Sequence, residues 1–514
     1  MKNRNSITCT TRSLIGCLAS LLLVAACPVR ASEKPADVPP RPNVIIILSD
    51  DLSYCDLGYT GQKLIQTPNI DRLAAGGMRF VEGYSAAPVC TASRAGLITG
   101  MHMGHCRIRG NAIEKPKSDR PERPFLKPED VTVAEVLKSA GYATGYVGKW
   151  ALGSEDTAGS PGKKGFDYSF GFYDPVSNHS YYPKSLWENG KSFSIPENLG
   201  YKGQGQNTEA DYDAQGNYRV PGVADPAKAK YSQDLVHAAG KDFIRRNKEQ
   251  PFFLYYATQL PHGKLCTPNL GIYKDKPWPT LQHKEWAAMV TGLDHYVGDL
   301  VALLRELKLE ENTLIVFASD NGYSAYAYLG NKPHWQDDPL FKNKGPWPGG
   351  KFAVYEGGCR VPMFAYWPKH VQPGESRQLL AFYDLMPTLA ELAGVASPPC
   401  DGISLVPTLL GQPEQQKQHD YLYWENGGAF TRHGQAVRFG PWYAMRERPN
   451  KSMTLFDVEK DLACTQDLAV KHPDLVERAK AMFKEAHVDS EWYTNPGESE
   501  SSTTQKETGK ESIE

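Results

Sequence analysis

Position 90 holds a cysteine just ahead of a short helical pattern, Cys90-Thr91-Ala92-Ser93-Arg94-Ala95-Gly96-Leu97-Ile98-Thr99-Gly100, with an arginine four residues on. The pattern predicts a helix opening after Ala92. Cys90 then lies near a positive helix end, where backbone N–H groups and the macrodipole favour anions. A cysteine in that setting is a candidate for chemistry on an anion. A buried structural cysteine or a redox cysteine fits the bare Cys-x-x-x-Arg spacing equally well.

A second group of residues could hold a metal. Val44 to Leu48 leads into Ser49-Asp50-Asp51, and Leu314 to Ala318 leads into Ser319-Asp320-Asn321-Gly322. Both apolar runs read as strands buried on two faces. In open α/β sheets, ligands bind beyond the carboxyl ends of strands. If the two strands are neighbours, Asp50, Asp51, Asp320 and Asn321 converge. An all-oxygen set without His or Cys favours a hard cation, Ca²⁺ ahead of Mg²⁺, over Zn²⁺. Taken one at a time, Asp-Asp and Asp-Asn-Gly are also ordinary turn chemistry.

The elements that must position these groups follow the same alternation. Thr67-Pro68 opens a helix that Gly76-Gly77 closes. Thr132 and Glu135 form a capping box for a helix ending at Gly141, and a strand from Ala143 to Val147 delivers Lys149. Phe252 to Ala257 is another buried strand run. This predicts one large α/β domain over 41–415, with a mixed, mostly parallel sheet between helices. From Tyr421 the texture changes to short strands (421–424, 435–438, 442–445, 454–457) and a helix from Pro473 to His487. A small C-terminal α+β domain with an antiparallel sheet is expected over 416–490, and a disordered tail over 491–514.

Composition limits the partners. The chain has 514 residues, 40% hydrophobic and 23% charged, with a net charge of -2. That balance gives no electrostatic reason for a nucleic-acid partner, so an anionic substrate must be gripped by a few placed cations. Lys2, Arg4 and Arg12 precede an apolar stretch from Leu14 to Ala26, and Val29-Arg30-Ala31 fits a signal-peptidase site, so 1–31 reads as a signal peptide. Val24-Ala25-Ala26-Cys27 also resembles a bacterial lipobox, with a lipid anchor on Cys27. Export to a bacterial periplasm or the extracellular space is expected on either account. Of ten cysteines, Cys9, Cys17 and Cys27 fall in the leader. Seven remain, and conversion of Cys90 would leave six.

The Cys90 run resembles the maturation signature of the formylglycine-dependent sulfatases, with Ala92 in place of the usual proline and Met101 where arginine is frequent. Asn43 to Asp51, Gly148-Lys149-Trp150, Phe317 to Gly322, Tyr355 to Pro362 and Asp384-Leu385-Met386-Pro387-Thr388 are similar to further blocks of that family, in its order. Leu455-Phe456-Asp457 through Asp467-Leu468-Ala469 is similar to its C-terminal block, with Leu462 and Cys464 for the usual Pro and Glu. The resemblance spans residues 41 to about 490. It implies an alkaline-phosphatase-like α/β fold and hydrolysis of O-sulfate esters, on a sulfated polysaccharide or its oligosaccharides. It also implies a maturation enzyme that oxidises Cys90 to formylglycine. By the same carry-over Asp50, Asp51, Asp320 and Asn321 bind Ca²⁺ together with modified Cys90. Arg94 holds the hydrated aldehyde and its sulfate ester, Lys149 and Lys351 contact sulfate, and His262 is the leaving-group acid.

One position departs from the family. Gly-Lys-Trp-His-Leu-Gly is common there, and this chain reads Gly148-Lys149-Trp150-Ala151-Leu152-Gly153. The missing histidine is the base assigned to the sulfate-releasing step. His179, in a His-x-Tyr-Tyr-Pro segment similar to one in relatives with a small residue at that position, is the candidate replacement. His102 and His105 are further candidates, and the segment also suggests a galactose-type sulfate. Tyr181 to Trp187 and Trp335 to Trp347 could stack on sugars or simply pack. Ala151 also supports an alternative, a sulfatase-like protein that binds sulfated glycans without turnover. A phosphatase on the same fold would need a His-rich two-metal site, which the sequence does not offer.

Overall fold

The Val44–Leu48 run forms the middle of a strand, Asn43–Asp50, every residue of which is buried. The computed structural model describes residues 41–113, 122–174, 180–203, 205–324, 336–427, 434–448 and 451–493. The leader with Cys27, His179, Trp335 and the tail from 494 lie outside the described residues.

Asn43–Asp50 is central in a ten-stranded sheet. Thr313–Ser319 pairs with it on one side and Phe252–Pro261 on the other, both parallel. Beyond Phe252–Pro261 come Ala143–Lys149 and Tyr168–Phe172, also parallel. Met363–Tyr366 borders Thr313–Ser319 in the antiparallel sense. Parallel central strands need cover on both faces, which explains their unbroken apolar runs. The long helix Leu281–Glu306 and the helix Ser232–Arg246 cover one face, with Trp286, Leu293, Val297, Val236 and Phe243 in one core with Ile45, Ile47, Leu254 and Tyr256.

Register decides what the sheet can do. Ser49 lies opposite Ser319, and Asp50 lies opposite Pro261. The carboxyl ends of these strands therefore finish at one level and release Asp50-Asp51, Asp320-Asn321, His262 and Lys149 at the same edge.

A separate four-stranded antiparallel sheet, Leu422–Glu425, Gln435–Phe439, Trp442–Arg446 and Thr454–Asp457, carries the helix Pro473–Ala486 on one face. It is joined to the larger sheet's loops by a buried ion pair from Arg109 to Glu425 at 2.7 Å and by Trp424 donating to Ser85 O. The chain thus has the mixed, mostly parallel α/β architecture with a small antiparallel sheet that its sequence predicts.

One buried acid in the long helix gives a stability prediction. Glu285 Oε1 accepts hydrogen bonds from Asn207 Nδ2 (2.7 Å) and the Tyr212 hydroxyl (2.8 Å), while Oε2 has no hydrogen-bond partner among the described residues. Burial pushes this carboxyl from its ordinary 4.5 up to about 7. The unfolded chain releases the proton first, so folding stability falls as pH rises from about 4.5 to about 7 and is level above that. The loss approaches about 3 kcal/mol at full ionisation. Denaturant unfolding from pH 4.5 to 8 checks this: Glu285→Gln should show a flatter profile than the parent by that amount.

Candidate active site

The nucleophile candidate sits at a helix start. The helix runs Cys90–Thr99, three residues earlier than the sequence pattern places it, and all ten of its residues are buried. Val89 is the N-cap and caps nothing with its side chain. The Thr91 N–H is satisfied by Asn111 Oδ1 at 3.1 Å. That remote partner lets the helix begin at Cys90, and no feature of the Gly110-Asn111 dipeptide announces it.

Asp50, Cys90 and Asp320 bring one ligand atom each within 4.8 Å of one another, and so do Asp50, Asp51 and His262. Asp51 follows the strand with φ 63°. Aspartate tolerates that left-handed conformation better than most residues, and it turns the Asp51 carboxylate beside that of Asp50. Its N–H donates to Asp320 Oδ1 at 3.2 Å. Asn321 Nδ2 donates to Asp51 Oδ1 at 2.8 Å. Gly322 packs so close to the Gly357 carbonyl that a Cβ would stand 2.1 Å from it. This contact fixes the Asp320-Asn321 turn against the loop that carries Lys351.

Each carboxylate has a cation. Lys149 Nζ is 2.6 Å from Asp50 Oδ2, and Lys351 Nζ is 2.7 Å from Asp51 Oδ1. Arg94 Nε and Nη2 donate to Asp320 Oδ2 at 2.9 and 2.8 Å, and Nη1 donates to the Lys149 carbonyl at 2.9 Å. The side chains of Arg94, Asp50 and Asp320 are 0% exposed. Burial raises the Asp50 carboxyl, but Lys149, His262 and Arg94 outweigh it and hold Asp50 below its ordinary value. Burial together with the charge of Asp50 pushes Asp320 up to about 7 despite Arg94. Burial lowers His262 to about 3 against the pull of Asp50 and Asp51, so the imidazole is neutral. Its Nε2 stands 3.6 Å from Asp51 Oδ2.

These residues fit a divalent cation. Among the described residues, Asp50 Oδ1 and Asn321 Oδ1 are buried without hydrogen-bond partners, an expensive state that an ion relieves. The donor set is oxygen-rich and carries three carboxylates, as calcium and magnesium prefer.

The other sequence candidates separate. His102 and His105 stack with ring centroids 4.2 Å apart at the far end of the Cys90–Thr99 helix, where Asp401 engages both. Tyr181 and Tyr182 are core residues: Tyr181 stacks on Tyr231 and donates to the His262 carbonyl at 2.8 Å, so it supports the His262 turn from beneath. Trp347 is buried against Tyr54. Ala151 is buried with φ 64° at the end of the Lys149 strand, its N–H given to Tyr173 O at 3.2 Å. None of the seven described cysteines is in a disulfide.

Residues 42–395 match the sulfatase family model, and residues 349–486 match the model of the N-sulphoglucosamine sulphohydrolase C-terminal region. The chain is 32% identical to human arylsulfatase A over 80% of its own length and 74% of that protein. It is 27% identical to an N-acetylgalactosamine-6-O-sulfatase of Bacteroides thetaiotaomicron, over 92% of this chain and 98% of that one. Among solved structures, Ps i-CgsB in complex with k-i-k-neocarrahexaose superposes with a TM-score of 0.70 at 27% identity, covering 89% and 94% of the two chains.

Proposed function

The chain belongs to the sulfatase family and hydrolyses sulfate esters, and we propose that it does so on O-sulfated, galactose-type units of a polysaccharide or its oligosaccharides, through a formylglycine made from Cys90 and a bound Ca²⁺. The observation that carries this reading is the meeting of Cys90 with Asp50 and Asp320 at the head of a buried helix, ringed by Arg94, Lys149 and Lys351. The substrate class is supported by the carbohydrate ligand of i-CgsB and by the galactosamine sulfatase relatives.

Asp50, Asp51, Asp320 and Asn321, with residue 90, would hold the cation, which when bound polarises a sulfate oxygen. Formylglycine supplies a hydroxyl nucleophile. Lys149 and Lys351 bring ammonium groups to the edge of the site, where they offset charge on the sulfate oxygens. Arg94 holds Asp320 in place from the next turn of the helix and locks it to the Lys149 strand. His262, neutral and fixed by its backbone on Gln259, offers an imidazole N–H to the leaving oxygen. The leader composition supports export of the mature chain, with or without a lipid on Cys27.

Mass spectrometry of the tryptic peptide Phe80–Arg94, from protein made in a host that matures sulfatases, tests the nucleophile. An aldehyde in place of the thiol supports the reading. An unmodified thiol there favours a glycan-binding role. Calcium has its own test. Chelation should lower activity and thermal stability, and a hundredfold excess of Ca²⁺ over its dissociation constant should return about 2.7 kcal/mol of stability. No change in the unfolding midpoint on adding Ca²⁺ to chelated protein would remove the metal from the proposal.

A further inference from the structure

We propose that Asn111 is a catalytic residue, the donor that holds one oxygen of converted residue 90 while sulfate is released; this rests on the formylglycine reading of Cys90.

The amide is fixed at several points. Asn111 Oδ1 accepts from the Thr91 N–H at 3.1 Å. A backbone N–H can only donate, so this bond settles which end of the carboxamide is which. Nδ2 is thereby turned to Cys90 Sγ, 3.5 Å away, while Oδ1 also accepts from the thiol at 3.7 Å. Among the described residues, Asn111 is the side chain hydrogen-bonded to that sulfur. The Asn111 main chain is held as well, by Arg123 Nη1 donating to its carbonyl at 2.8 Å. Such a group is preorganised, with its free N–H aimed at the atom bonded to Cβ of residue 90.

Sγ marks where an oxygen on that carbon stands after conversion. Turnover needs two such oxygens, one to carry sulfate and one to drive it off. In the release step the second oxygen loses its proton to water. The bond from carbon to the sulfate-bearing oxygen breaks with its electrons going to sulfate, and the carbonyl re-forms. Negative charge gathers on the second oxygen as its proton leaves, and the Asn111 Nδ2–H stabilises it there. Asn111 cannot take the proton. It makes the proton easier to lose, which matters in a chain where Ala151 replaces the family's usual base.

The test uses Asn111→Ala and Asn111→Asp, made in a host that converts the parent. The aspartate keeps an acceptor for the Thr91 N–H and discards the donor, so it separates catalysis from helix capping. We expect the Phe80–Arg94 peptide to be converted as fully as in the parent and kcat to fall about a hundredfold. We also expect phenol from an aryl sulfate to appear as a burst, and the acid-quenched peptide to retain sulfate mass. Unchanged kcat would overturn the proposal. So would slow turnover with neither burst nor retained sulfate, which a merely structural role would give. Conversion lost only in the variants would assign Asn111 to maturation instead. An unconverted thiol in the parent would sink the underlying reading and is distinguishable from all of these.

Discussion

Cys90→Ala should lower turnover about 10⁴- to 10⁶-fold while leaving the fold in place, the scale on which loss of a covalent nucleophile is felt. The structural cost is small because the side chain is compact and its sulfur makes hydrogen bonds only with Asn111 among the described residues. The surrounding ion pairs, Arg94 with Asp320, Lys149 with Asp50 and Lys351 with Asp51, do not pass through it. Initial rates on an aryl sulfate and on sulfated galactose oligosaccharides, with thermal unfolding as control, measure both halves. A variant retaining a tenth of parental activity at an unchanged midpoint would place the nucleophile elsewhere. Cys90→Ser sharpens the point. A lone hydroxyl can accept sulfate but has no second oxygen on its carbon to expel it, so this variant should turn over once and stop.

How much of this was legible beforehand depended on whether the signal was local. Strand runs such as Val44–Leu48 and Leu314–Ala318 declare themselves because both faces are buried, and their ends put Asp50, Asp51, Asp320 and Asn321 at strand ends, which the parallel pairing of the two strands then brings together. The Thr132–Glu135 capping box is equally local and is present as read. Pairings across the chain were not legible. The helix begins at Cys90 because Asn111, far along the chain, caps it, and a Gly-Asn dipeptide reads only as a turn. Tyr181 and Tyr182 resembled a sugar platform because aromatic residues look alike in sequence whether they face solvent or core. Tyr181 instead buttresses His262, and Tyr182 packs on Tyr218. Nor could the sequence show that Arg94 engages Asp320 and the Lys149 carbonyl, which makes it a strut between the two strand ends.

That strut carries the second large effect. Arg94→Met keeps most of the side-chain volume and removes the only charge that Asp320 contacts directly among the described residues. Asp320 would then face Asp50 in a fully buried cleft with one cation fewer, and the Lys149 carbonyl would lose its donor. Breaking a buried pair in this way costs about 3–5 kcal/mol. In chelator, the variant should therefore unfold well below the parent. Calcium should return part of that loss, because a dication bound by Asp50, Asp51, Asp320 and Asn321 supplies to Asp320 the positive charge that the guanidinium gave. Activity should not return with it, and kcat should stay about 10²- to 10³-fold down, since the ion restores charge but not the alignment of Asp320 with the Lys149 strand. Unfolding curves of both proteins in chelator and in calcium, with kcat at saturating calcium, give the comparison. Equal midpoints in chelator would mean the pair contributes nothing net to the fold. A full return of activity with calcium would mean that Arg94 only balances charge.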